Sequence, residues 1–444
     1  MPQFTRIELE VYLLEKCLQA AWAAPLDDLQ QSEFDCLGCR RDTEDRARFG
    51  EQGVRKVKRH PHGWCSILSL VSNSSIRFST WRTTCIVVTI AVSMVLAAGA
   101  QAQTVIRTDA MVAGPPGIAI FVREIVGKSP APNVAPLLLV HDTPAAGPAS
   151  FDLGVPGGSL AADLAEAGLR VYLMDARGYG RSSRAPRLSS PPRPGVPLTR
   201  ASEVVEDIGA VVDWIRQRTQ APKVALLGWG AGGHTIGQFA TRRPDVVASV
   251  VFYNTLYGGG PEHPLVGKNS DLADPARPGR VNRATLGAYR LYDAAAILKP
   301  WDESIPGADK AAWRDPQVAA AYVAAVLAAD PGAPPTRPPA VRVPTGPLAD
   351  AFEVTTGRQP WDAGLIQAPA LIVFAEHDFW SRAEDRDRLQ AHLINAGEVK
   401  VVTLPGATHY AHLDRPERGR QALIDALKAF LLRSAPAPAP RPAG

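Results

Sequence analysis

A chain of 444 residues, 46% of them hydrophobic, has ample apolar material for one large buried core, or for one domain with an insertion. Its formal net charge of +4 is small for that length. That argues against a nucleic-acid-binding face, which needs a concentrated basic surface.

Residues 1–75 are mixed in character and show no alternation of strands and helices. They read as an atypical segment outside the native product. All five cysteines, Cys17, Cys36, Cys39, Cys65 and Cys85, precede residue 90. Cys36 and Cys39, with His60, His62 and Cys65, have too irregular a spacing for a zinc site, so no metal is expected. Residues 76–102 have the layout of a secretory leader. Arg77 and Arg82 form a basic flank, residues 85–98 an apolar core, and Ala100-Gln101-Ala102 a small-residue cleavage site. The expected mature chain starts near Gln103, is exported to the periplasm or medium, and carries no cysteine. The apolar core is shorter than the roughly 20 residues of a membrane span. The alternative is a signal anchor at 85–98 that keeps residues 1–84 cytoplasmic. Because about 75 residues precede this leader, a translation start downstream of Met1 is expected.

From residue 103 to 433, apolar strand-like runs alternate with helical patterns. IAIFVRE (118–124) reads as an antiparallel edge strand, PLLLVH (136–141) as a fully buried one. A short helix at 160–168 and a strand at 169–175 follow. SEVVEDIGAVVDWIRQRT (202–219) is amphipathic, with Val204, Val205, Ile208, Val211, Val212 and Ile215 on one helical stripe. Strands at 223–228 and 246–254 flank a helix at 232–244. Strands at 370–378 and 398–406 flank a helix at 382–397, and a helix within 415–433 closes the domain. Continuous apolar strands alternating with helices specify a mostly parallel central sheet with helices on both faces. Residues 255–368 interrupt the alternation, with one clear helix at 317–329, and read as a lid inserted before the strand at 370. SAPAPAPRPAG (434–444) cannot pack and reads as a disordered Pro/Ala tail.

Such sheets bind ligands beyond the carboxyl ends of their strands. There the sequence places His141-Asp142-Thr143, the run Asp175-Ala176-Arg177-Gly178-Tyr179-Gly180-Arg181-Ser182, the run Gly228-Trp229-Gly230-Ala231-Gly232-Gly233, Glu376-His377-Asp378, and Gly406-Ala407-Thr408-His409. In order and spacing this series resembles the α/β-hydrolase superfamily, of the lid-containing, esterase-like kind, over about residues 110–433. The resemblance implies the α/β-hydrolase fold and a chain order of nucleophile, acid and histidine. Carried over, these fall on Gly230, Asp378 and His409. It also implies an oxyanion hole, with one N–H from Ala231 and the other from Thr143, since Pro144 has no N–H.

A histidine facing a carboxylate is held in one tautomer and stabilised when protonated, so Asp378 and His409 are expected to pair. The alternative makes each a turn residue, with Asp378 capping the next helix. Asp142 stands where the family usually has glycine. It would repel anions or act as a local acid or base, or be a turn residue pointing to solvent. Gly230 suits the tight turn and removes the nucleophile, which excludes a serine acyl-enzyme. Three readings follow: a non-catalytic binding relative, a His409–Asp378 pair that activates water or abstracts a proton, or an esterase disabled by one change. A dinucleotide reading of glycines 228, 230 and 233 fits poorly, because the run lies mid-sheet and the next strand ends Phe252-Tyr253-Asn254 without an acid. Asp142, Trp229 and Tyr257 are candidates for the pocket wall. No cofactor is expected. The expected partner is a small apolar ester or carbonyl compound.

Overall fold

The computed structural model describes residues 105–192 and 196–433. The leader, the cysteines and the Pro/Ala tail lie outside them. No helix among the described residues is long and apolar enough to cross a membrane.

Eight strands form one sheet: β1 (Val105–Ala113), β2 (Ala119–Gly127), β3 (Leu137–Val140), β4 (Arg170–Met174), β5 (Val224–Trp229), β6 (Val247–Tyr253), β11 (Ala370–His377) and β12 (Val399–Thr408). Between β6 and β11 lie the short strands β7 (Ala273–Asp274), β8 (Arg277–Val281), β9 (Tyr289–Asp293) and β10 (Ala340–Pro344). The spatial order of the large sheet is β1-β2-β4-β3-β5-β6-β11-β12. β1–β2 and β2–β4 pair antiparallel; every other neighbour pairs in parallel. β3 and β5 are buried at every residue, as central strands covered on both faces must be.

The run at 118–124 is thus not the edge strand. β1 takes that place, and only Val105 and Val112 of it are buried. The helix expected at 382–397 is shorter, Ala383–His392, and the closing helix is Arg420–Leu431. The insertion holds more order than its composition announces. Besides the helix Pro316–Ala328 it contains helices Ala294–Ser304 and Gly346–Thr355 and the paired strands β9–β10. It also has a small core of its own, in which Leu256, Val266, Leu272, Leu286 and Phe352 meet Trp380.

The strand ends converge above the centre of the sheet. β3 delivers His141 and Asp142, β5 delivers Gly230, β11 delivers Asp378 and β12 delivers His409. The helix Ala231–Arg242 starts at Gly230, against the end of β3. A Cβ on Gly232 would stand 2.2 Å from the Val140 carbonyl oxygen, so only glycine permits that approach.

Candidate active site

Gly230 sits between β5 and the helix Ala231–Arg242 with φ 54° and ψ −116°. L-residues reach this backbone only under strain, and glycine takes it freely. Its N–H donates to the Tyr253 carbonyl, which fixes the turn to β6.

The expected pair is formed. His409 Nδ1 lies 2.6 Å from Asp378 Oδ1. Asp378 also accepts from the amides of Trp380 and Ser381, so it orders its own turn and holds the imidazole together. The two roles are not exclusive, because a carboxylate has about four lone-pair sites. The next helix is capped at Arg382 instead. The His409 carbonyl accepts from Trp229 Nε1 at 3.0 Å, Tyr253 Oη at 3.2 Å and Asn254 Nδ2 at 3.0 Å. The ring is therefore held from its backbone as well as from Asp378.

Asp142 overturns the reading of a turn residue pointing to solvent. Its side chain is 8% exposed and turns inward over Gly230. Oδ2 lies 3.1 Å from His409 Nε2, and Oδ1 accepts from the Ala231 N–H at 3.0 Å. A Cβ on residue 230 would stand 2.3 Å from Asp142 Oδ2. The missing side chain at 230 is thus the condition for the carboxylate at 142.

His141 holds Asp142 in place. Its Nε2 accepts from the Ala176 N–H at 3.0 Å, which leaves the proton on Nδ1 to donate to the Asp142 carbonyl at 2.8 Å. Burial lowers the His141 pKa and keeps the ring neutral. The Asp175–Ser182 run supports the same region structurally. Asp175 accepts from the N–H groups of Gly147 and Arg181, and Ser182 Oγ donates to the Asp175 carbonyl.

The electrostatics set the protonation state. Burial opposes charge on His409, but the charge of Asp378 and the hydrogen bond and charge of Asp142 outweigh it, and the pKa rises to about 9. Protonated, the His409 ring donates from both nitrogens, Nδ1 to Asp378 and Nε2 to Asp142.

Beside Gly230 lies a small apolar pocket with a cavity volume of about 40 Å³. Asp142, Thr143, Ala231 and His234 reach it from the sheet side, Ala351 and Val354 from the insertion. Among the described residues, the amide that meets the Asp142 carboxylate is that of Ala231, not Thr143. The Thr143 hydroxyl accepts from Tyr179 Oη at 3.2 Å. Trp229 and Tyr257 do not line this pocket, contrary to expectation. Trp229 packs against His412 and Tyr410 in the core, pinned by its bond to the His409 carbonyl. Tyr257 is drawn away by His392 Nδ1, 3.1 Å from its hydroxyl, and borders a separate depression.

His234, one helical turn past Gly230, was not singled out by sequence. Its Nδ1 accepts from Trp361 Nε1 at 3.2 Å, so the proton must sit on Nε2. That Nε2 is buried and has no partner among the described residues. Burial lowers its pKa to about 4. His234 therefore carries a neutral, buried N–H, and the residue borders the pocket. The only signal in the sequence was its i+4 spacing from Gly230, which many buried histidines share.

A family model described as "alpha/beta hydrolase fold" matches residues 136–416. No curated protein sequence matches the chain. Among solved structures, potato epoxide hydrolase I is 18% identical, with 73% of this chain and 100% of that one covered and a TM-score of 0.48. A thermophilic esterase from Thermogutta terrifontis is 18% identical, covering 73% and 99%, with a TM-score of 0.46. E-2-(acetamidomethylene)succinate hydrolase is 19% identical, covering 74% and 100%, with a TM-score of 0.46. At these values the three likenesses say nothing of activity. The family match spans well over half of the chain, on the mostly parallel sheet and strand-end site described above, and the chain belongs to the alpha/beta hydrolase fold family.

Proposed function

We propose that the protein is an exported hydrolase of small, mainly apolar molecules that works without a serine acyl-enzyme. The observation that carries this reading is the Asp142 carboxylate over Gly230, bonded to both His409 Nε2 and the Ala231 N–H. A decayed site would have no need to keep a glycine-only turn, a buried His–Asp array and an apolar pocket in one place. The array supplies what hydrolysis needs: a group that moves a proton at Nε2, a carboxylate that stabilises it charged, and a donor for developing negative charge. Esters and related carbonyl compounds are the substrate class implied by the family resemblance. Export rests on the leader at 76–102.

A second reading is a binding protein without turnover. It is favoured by the same bonds, since Asp142 occupies both His409 Nε2 and the Ala231 N–H. The purified protein is tested with 4-nitrophenyl butyrate and 4-nitrobenzyl bromide, beside His409→Ala. Turnover of either that survives a serine-directed phosphonate and falls at least ~100-fold in His409→Ala supports hydrolysis, the usual scale for a lost acid–base group. No turnover, with thermal stabilisation by the products, supports the binding protein.

A further inference from the structure

We propose that Asp142 is the covalent nucleophile of this site, displaced from the elbow to the neighbouring loop, and that it attacks saturated carbon. The inference rests on the hydrolase reading above and specifies its chemistry.

The nucleophile position is defined in space, by the histidine Nε2 on one side and the elbow N–H on the other. In this chain that space belongs to Asp142 Oδ2, which stands within 2.3 Å of where a residue-230 Cβ would be. A carboxylate is an established protein nucleophile and needs no base to activate it. Each oxygen keeps a lone pair beyond the one hydrogen bond it accepts. His141 holds the Asp142 main chain, and the side chain borders the pocket, so the group is both fixed and reachable.

The bonds of Oδ1 decide which carbon is attacked. Displacement at an acyl carbon creates an oxyanion on the substrate, which needs the Ala231 N–H. That N–H is already on Asp142 Oδ1 at 3.0 Å. The donor is placed for an oxyanion on the enzyme's own carboxyl group. This suits a substrate whose first step leaves no oxyanion: displacement at saturated carbon, with a leaving group stable as an anion.

The steps balance as follows. Asp142 Oδ2 forms a bond to the substrate carbon, and the carbon–leaving-group bond breaks with its electron pair on the leaving anion. Asp142 is now a neutral ester, so His409 loses one of the two anions that raise its pKa and releases its Nε2 proton to solvent. Neutral His409 then takes a proton from water as the water oxygen attacks Asp142 Cγ. The oxyanion forms at Oδ1, on the Ala231 N–H. Collapse expels the product alkoxide, which takes the proton back from Nε2. The resulting carboxylic acid returns its own proton to His409, and the array is restored. The sum is one alkyl electrophile and one water giving an alcohol, an anion and a proton.

The test is a single turnover of 4-nitrobenzyl bromide in ¹⁸O-water, with protein in excess, followed by peptide mass analysis. The expected result is ¹⁸O in the peptide that carries Asp142, an unlabelled first-turnover alcohol, and loss of at least ~100-fold in rate in Asp142→Asn. In His409→Ala the 4-nitrobenzyl ester on Asp142 should accumulate. The double variant Asp142→Gly with Gly230→Asp guards against a folding artefact: it should regain labelling, now in the peptide that carries position 230. His409-dependent turnover with ¹⁸O only in the alcohol overturns the nucleophile and leaves the hydrolase reading intact. Ester cleavage without turnover of the bromide does the same. No turnover of any probe overturns both.

Discussion

At residue 230, one methylene group decides the chemistry. Gly230→Ser would bring a Cβ to 2.3 Å from Asp142 Oδ2, at a backbone φ of 54°. We expect the single variant to lose about 1–3 kcal/mol in urea unfolding, the usual range for overpacking and positive-φ strain, and to gain no burst acylation by 4-nitrophenyl butyrate. Adding Asp142→Gly should relieve the contact and let the serine reach His409, so the double variant should show the burst. His409 makes a second, pH-dependent prediction. Its folded pKa of about 9 lies above an unfolded value of about 6.5. Its stabilising contribution, on the order of 3 kcal/mol, is therefore complete below about pH 6.5 and lost as pH rises through about 9. Asp142→Asn removes one anion, so the loss should shift to lower pH, measured by urea unfolding across pH with imidazole NMR titration alongside. His234 should bind through its Nε2–H. His234→Phe should weaken ligands that present a hydrogen-bond acceptor by roughly tenfold, the scale of one neutral hydrogen bond, and leave fully apolar ligands unchanged in calorimetry. The pair Asp378–His409 was legible because each residue directly follows an apolar strand. Asp142 was not. Its position after β3 was clear, but its direction depends on His141, Ala231 and the space over Gly230, which come together only in three dimensions.

The elements that carry the site were the most readable part of the chain. β3, β5, β6 and β11 are continuous apolar runs, and the helix Ala201–Thr219 shows its buried stripe directly. β1 was missed because its order comes from pairing along its whole length with β2, not from an apolar face. The insertion helices were hidden by Pro300, inside Ala294–Ser304, and by a Pro-rich approach to Gly346–Thr355. Where helix and strand meet most closely, the sequence used glycine. Gly232→Ala would press a Cβ against the Val140 carbonyl, 2.2 Å away. We expect a loss of about 1–3 kcal/mol in urea unfolding, with activity falling further than stability, because β3 carries Asp142.

Across the whole molecule, the leader proposed at residues 76–102 makes a separate prediction. N-terminal sequencing of exported protein should begin near Gln103, and a product that retains residues 1–84 would refute cleavage. The large sheet and the insertion each have a core, yet both supply walls of one pocket. Substrate range should therefore respond to changes at Ala351 or Val354 without loss of the array on the other side. The mutual exclusion between Asp142 and a side chain at 230 has one more consequence, for how this protein can change. A serine at 230 with Asp142 retained is crowded, and glycine at both positions has no nucleophile. Each single step away from the present pair descends, so scanning one position at a time would mark both as merely intolerant. A library that varies the two together would cross between two chemistries that no stepwise search connects.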